Sequence, residues 1–482
     1  MIRSYVENDY ETISRTPRAA EAPPPKSRRL RSVLGAAPQS TEAARHLPSP
    51  TPAPLKRGHV ISFAALFLFT VVLYARPADF YPSVATNSLA LILGVVTVAT
   101  FAISQLSLDG TLTARPSEVN LVLIFMLTGA LSIPLAIDPA VAWHEFSGTF
   151  IRCIAIFIVM VNVVRTEQRL KALMLLALVT GIWLSAGAIN DYRLGLMTVE
   201  GYRAGGRGEG IFGNSNDMAL FLVTLIPIAI VFVIQSRTIL RKLVFGGAGI
   251  LMSLGIFLTY SRSGFIGLLV ATGFVAWKLG KKRRIEILIG GGAVVAILLA
   301  LSPGYALRLA SILVPSLDPV GSSEARQGEL FRSLYIAIRH PLLGIGMGNY
   351  APEMSYRGLV THNSYTQVGA EMGAAALVCY TLFLVKPLRK LAQIARDTCG
   401  AKVDSHFYYM AVGLQASLIG YMCSSFFASV AYLWYVYYLV AYAVCFRRIY
   451  ESTTGREVLI EKRKRGRNAA APSIRESKAA NL

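Results

Sequence analysis

Thr361-His362-Asn363-Ser364-Tyr365-Thr366-Gln367-Val368-Gly369-Ala370-Glu371-Met372-Gly373 puts a histidine and an asparagine at the entrance of a hydrophobic segment, directly after a long polar stretch. Ionisable groups at a membrane face are costly and usually serve a purpose there. Two earlier hydrophobic segments open in a comparable way, with Gly213-Asn214-Ser215-Asn216-Asp217 and with Tyr260-Ser261-Arg262-Ser263-Gly264. If the three openings share one side of a bilayer, they form a site that faces water.

Composition supports the bilayer. The chain has 482 residues, of which 54% are hydrophobic, and a mean hydropathy of +0.50. Apolar runs of about 18 residues or more recur, as in spanning helices. The net charge of +21 lies largely in the tails and short loops. There it orients a membrane protein and meets anionic headgroups, so no nucleic-acid partner is expected. The five cysteines are scattered without a CxxC pair and read as small buried hydrophobes, with no metal site implied.

The expected fold is all-α and polytopic, with twelve transmembrane helices at about 59–75, 83–103, 119–137, 149–164, 170–189, 216–234, 240–259, 263–279, 285–302, 363–385, 406–424 and 428–446. Within the apolar block 406–446, Ser424-Ser425 is the only visible break. Residues 1–57, rich in Pro, Ala and Arg, read as a disordered basic cytoplasmic tail. Residues 58–447 form the membrane domain, and 448–482 form a second basic cytoplasmic tail. Basic clusters at 165–171, 237–242, 278–284 and 386–402 alternate with less basic loops, which places both termini inside. The long stretches 190–215 and 303–362 are then extracytoplasmic, the second being a large loop between the ninth and tenth spans. Long loops of this kind usually carry function.

On that topology the three motifs begin helices whose N-termini share the outer face. Each helix start offers free N–H groups and about half a positive charge, which favours an anion. Arg203, Arg207, Arg262, Arg326 and Arg357 lie on the same side, and lysine is absent from both long outer loops. Guanidinium forks suit a phosphate or diphosphate. His362 stands beside the N-cap of the tenth span, with Thr361 and Asn363 as candidate caps. The positive helix end should keep its imidazole neutral and fit to accept a proton from a hydroxyl. The plainer reading is a histidine that only anchors the helix.

Glu371, about two and a half turns further on, should point away from His362 and pair with a cation in the bundle, Arg152 being a candidate. Arg152 can equally snorkel to the outer surface. The stretch Gln327 to Arg339 reads as an amphipathic helix ended by His340-Pro341. The GxGxG at 344–348 precedes no strand and is rejected as a dinucleotide site. No DxD, HExxH, GxSxG or Walker A sequence occurs.

Taken in order, Gly-Asn-x-Asn-Asp at 213–217, Thr-x-Ser-Arg-Ser-Gly at 259–264, His-Pro-Leu-Leu-Gly-Ile-Gly at 340–346, His-Asn-x-Tyr at 362–365 and Glu-x-Gly at 371–373 resemble the O-antigen ligase and Wzy-type polymerase family. The resemblance covers about residues 190–385 at motif level and leaves out both tails. It implies a glycosyltransferase of the bacterial inner membrane with a periplasmic active site. Such an enzyme moves a glycan from undecaprenyl diphosphate to an acceptor hydroxyl, with inversion and without metal or other cofactor.

The implied partners are an undecaprenyl-diphosphate-linked oligosaccharide donor, an acceptor glycan (a repeat unit or a lipid A core), membrane lipids and polysaccharide assembly proteins. By position, His362 would be the general base, and Arg262 and Arg326 would hold the diphosphate, assisted by Arg203 or Arg207. Asn363, Asn214 and Asn216 would line the substrate, with Glu371, Arg152 and Ser261 in support. Ligase and polymerase are not separated by the motifs. The competing class is a transporter or flippase of lipid-linked oligosaccharide, which should show internal repeats or paired broken helices; neither is visible in the sequence.

Overall fold

The computed structural model describes residue 55 and residues 58–197, 202–206, 212–301, 303–310, 322–355, 358–400 and 405–458, within the unit Thr51–Leu482. The expected tail at 1–57 and residues 459–482 lie almost wholly outside these, as do Arg207 and Arg357.

Every element of the described residues is helical. In chain order they are α1 (Val60–Ala75), α2 (Pro77–Phe80), α3 (Val84–Asp109), α4 (Ser117–Ser132), α5 (Pro139–Glu145), α6 (Ile151–Val163), α7 (Glu167–Arg193), α8 (Ser215–Gln235), α9 (Ile239–Leu258), α10 (Arg262–Lys278), α11 (Lys281–Leu301), α12 (Pro303–Ala310), α13 (Ser322–Arg339), α14 (Ser364–Asp397), α15 (Ser405–Ser425) and α16 (Trp434–Thr454). A wide helical turn, Phe146–Phe150, makes α5 and α6 one continuous rod.

Eight helices among the described residues are long and apolar enough to cross a membrane, so the chain is a multi-pass helical membrane protein. The expected count of twelve is not reached. The other four expected spans are present as helices, but α10 has only 17 residues. Cations shorten the apolar length of two more, with Lys281-Lys282-Arg283-Arg284 opening α11 and Arg447-Arg448 interrupting α16. The last expected span also shifts, because 426–433 is a folded connection and α16 begins only at Trp434. Large apolar side chains all along 406–446 hid that connection.

The core is a cage of α8, α14, α15 and α16, whose residues are buried around most of their circumference. Polyvalent polar locks hold it at the end away from His362. There the buried Glu118 of α4 accepts from Lys390 of α14 at 2.9 Å and from Arg447 of α16 at 3.3 Å. A buried carboxylate with two cationic partners has its charge matched where water is excluded.

The stretch expected as one large loop, 303–362, is mostly built structure. It carries α12 and α13, and α13 ends at Arg339, before His340-Pro341. Residues 341–350 then form a hook that enters α14. Gly373 leaves the helical region with φ 82, interrupting α14. The hook fills the interruption: Ile345 and Gly346 donate N–H groups to the carbonyls of Ala370 and Glu371, both at 2.9 Å, and Ala374 donates to Pro341 at 2.7 Å. A spanning helix can break only where other protein groups satisfy its backbone, as the hook does here. The sequence showed no broken helix, so α14 is a correction on that point.

Candidate functional site

Three capped helix starts come together at one end of the bundle. Asn214 caps α8, its side chain accepting from Asn216 N–H at 2.8 Å. Ser261 caps α10 by accepting from Gly264 N–H at 3.2 Å, which makes Arg262 the first residue of that helix. Asn363 caps α14, its Oδ1 accepting from the N–H groups of Tyr365 at 2.9 Å and Thr366 at 3.0 Å. Each cap satisfies donors that a helix start would otherwise leave free.

Arg203 and Asn216 tie the first two starts together. The Arg203 guanidinium donates to Asn216 Oδ1 at 2.8 Å and to the Thr259 carbonyl at 2.9 Å, and the Ser261 hydroxyl donates to the same Asn216 oxygen at 3.0 Å. Arg203 is only 3% exposed. It is therefore a strut between α8 and the α9–α10 turn. Asn214 and Asn216 are likewise engaged with backbone and neighbours. Arg262 remains half-buried at the helix mouth.

The end of α15 and the connection at 426–433 join these starts to α14. Ser424 donates to the Ser263 carbonyl at 3.1 Å, Ser364 donates to the Ala428 carbonyl at 2.7 Å, and Val430 N–H donates to Ser364 Oγ at 2.9 Å. Thr361 and Ser429 share a 2.7 Å hydroxyl contact. Clamped on both flanks, His362 takes a left-handed backbone with φ 51. Tyr260, the residue before the Ser261 cap, does the same with φ 50. Such outliers in non-glycine residues persist only where surrounding contacts impose them, and they gather at functional sites.

One face of α13 covers the mouth of α14. Ser333 donates to Thr366 Oγ1 at 2.8 Å, and Glu329, one turn earlier, accepts from Tyr350 OH at 2.7 Å and Ser355 OH at 3.0 Å. Ser355 in turn accepts from Leu359 N–H at 2.9 Å, which fixes the chain leading to His362. Arg326, a turn before Glu329, brings its charge to the imidazole. Burial first, and Arg326 second, push the His362 pKa down to about 4, with Glu329 opposing. The expected direction is found, but desolvation is the larger cause, with Arg326 next, where the sequence had pointed to the helix end. Among the described residues nothing hydrogen-bonds the ring. A half-buried, neutral imidazole with both nitrogens open can accept a proton from an incoming hydroxyl.

Glu371 is buried, and no cation meets it among the described residues. Its oxygens accept from Tyr432 OH at 2.9 Å and from Tyr350 N–H at 3.4 Å. The candidate partner Arg152 sits on the outward side of the α5–α6 rod, exposed, because that rod begins at Pro139 and carries residue 152 well along its length. Of the other residues that build the site, Ser429 and Tyr432 are hidden in an apolar block, and Glu329 in a polar one. Their alternation with Ser and Tyr hydroxyls is the only signal, and it is weak.

The architecture is thus a multi-pass membrane protein with a neutral histidine and arginines at one end of the bundle. Residues 247–381 match the family model described as O-antigen ligase. The matched segment contains Arg262, Arg326, His362 and Glu371, and leaves out the α8 opening. No curated protein matches the chain.

Proposed function

We propose that the protein transfers a glycan from undecaprenyl diphosphate to an acceptor hydroxyl at the periplasmic face of the bacterial inner membrane, with both termini in the cytoplasm. His362 takes the proton of the acceptor O–H. The freed oxygen attacks the anomeric carbon from the face opposite the diphosphate, the C–O bond to the diphosphate breaks, and the configuration inverts. Undecaprenyl diphosphate leaves as an anion held by Arg262 and Arg326, so the leaving oxygen needs no proton donor and the reaction no metal. Arg203, Asn216 and Ser261 hold the α10 mouth in shape, and Asn363 does the same for α14. Arg207 completes the arginine set.

The observation that carries this reading is the open, neutral imidazole of His362 beside Arg326 at the capped start of α14. Turnover of a lipid-linked oligosaccharide by purified protein in EDTA tests it. Wild type should release undecaprenyl diphosphate, and His362→Ala should lose on the order of a hundredfold or more, the usual scale of a general base. Product length then separates polymerase from single-transfer ligase. The interruption of α14 favours one alternative, a flippase in which the arginines bind the diphosphate without chemistry. Binding of the lipid with no cleavage in the presence of acceptors would select it.

A further inference from the structure

The α5–α6 rod and α3 enclose a groove on the outer surface of the bundle, with a volume of ≈ 530 Å³. It runs from Ala90 to Ala102 on α3, against Gly148, Arg152 and Ala155, and Phe69 and Trp434 form its floor. Small residues keep it open, and its walls are almost wholly apolar except at Arg152.

Arg152 lies seven residues, about 10 Å, below Glu145 along the rod. Trp143 above it is 59% exposed, as expected of a residue at the membrane interface. Among the described residues Arg152 has no hydrogen-bond or ion-pair partner, although its side chain borders the groove. A guanidinium at that depth needs an anion.

The lining decides which kind. A groove walled by alanine, glycine, valine and leucine side chains takes a hydrocarbon chain, and the cation on its border takes the anionic head attached to that chain.

Cys153, the next residue, lies about 100° further round the rod and is buried, with its thiol on the Tyr432 carbonyl at 3.5 Å, so the rod packs its Cys153 side inward and leaves Arg152 at the surface.

The geometry points to a binding site for an anionic phospholipid of the bilayer, with one chain in the α3/α5–α6 groove and its phosphate on Arg152. This inference does not depend on the proposed transfer reaction.

The test is native mass spectrometry of the full chain in mild detergent, with phosphatidylglycerol and phosphatidylcholine as probes. Wild type should retain one phosphatidylglycerol through delipidation and show little preference-free binding of phosphatidylcholine. Arg152→Gln should lose that retention at least tenfold. Ala99→Phe, an exposed position in the groove wall, keeps the charge and fills the slot, and should lose it as well. Unfolding midpoints without lipid should stay near wild type for both variants, and phosphatidylglycerol should raise only that of wild type. If Arg152→Gln proves unfolded, Ala99→Phe decides alone. Equal retention in the variants, equal binding of phosphatidylcholine, or preferential retention of a polyprenyl phosphate would overturn the assignment.

Discussion

Glu371 accepts a 2.9 Å hydrogen bond from the hydroxyl of Tyr432, so a carboxylate at the break in α14 is held by the connection between α15 and α16. Its other oxygen takes the Tyr350 N–H of the hook. One side chain therefore fastens both segments that shape the mouth of α14. Glu371→Ala leaves a buried hydroxyl and a buried N–H without an acceptor. At about 1–3 kcal/mol for a stranded polar group, the variant should unfold at a clearly lower temperature in detergent. Glu371→Gln keeps an acceptor and should lose less. A Glu371→Ala protein as stable as wild type would show that water replaces the carboxylate.

The environment of His362 fixes the acid side of the pH profile. An imidazole shifted from 6.5 to about 4 stays neutral, and able to accept a proton, through the whole range in between. Transfer should hold steady from neutral pH downwards and fall only as pH approaches 4. In stability the sign is the same. Between pH 6.5 and 4 the unfolded chain takes up a proton that the folded chain refuses, so acidification through that window destabilises the fold. Arg326→Gln removes one of the two causes of the shift. Its acid limb should move to higher pH, yet stay below 6.5, because burial remains. An unmoved limb in this variant would mean that Arg326 does not act on the imidazole.

Arg203 and Arg262 should fail in different ways. Arg203 is buried and donates to Asn216 and Thr259, so Arg203→Lys, which lacks the fork, should lower the unfolding temperature. Arg262 stands at the helix mouth, and Arg262→Gln should leave the fold standing while raising the KM for lipid-linked donor roughly tenfold or more, the scale of a lost charge-assisted contact. Measuring unfolding and KM on both variants separates the roles; the same pattern in both would contradict the division.

The sequence was most legible where polar residues interrupt apolar runs. The three openings at 213–217, 260–264 and 361–364 are all capped helix starts, and they do share one end. Side-chain roles within them were harder to read. Arg203 and Arg262 look alike in a list of outer arginines, and only the carbonyl of Thr259 and the amide of Asn216 make one of them a strut. Tyr432 and Ser429 could not be singled out in an apolar block where a tyrosine is as apt to fill space as to donate. The twelve-span count rested on hydropathy and on the alternation of basic loops, and neither registers that 426–433 folds back to hold Thr361 and Ser364.

Gly373 gives the sharpest test of the hook. Its φ of 82 is one that L side chains rarely adopt, and a Cβ built there would lie 2.4 Å from the Leu342 carbonyl oxygen. Neither atom can yield easily, because Leu342 lies between Pro341 and Ile345, which are themselves bonded to α14. Gly373→Ala therefore adds left-handed strain of about 1–2 kcal/mol to overpacking of about 1–3 kcal/mol. The easiest relief is for the hook to leave the break. That would loosen Tyr350 and, through Glu329, the chain carrying His362, so transfer should fall along with stability. Gly358, with φ 64, has open space around the corresponding Cβ position. Gly358→Ala thus meets only the backbone cost, and activity should survive it. Were Gly373→Ala as active and stable as Gly358→Ala, the hook could not be what shapes the entrance of α14.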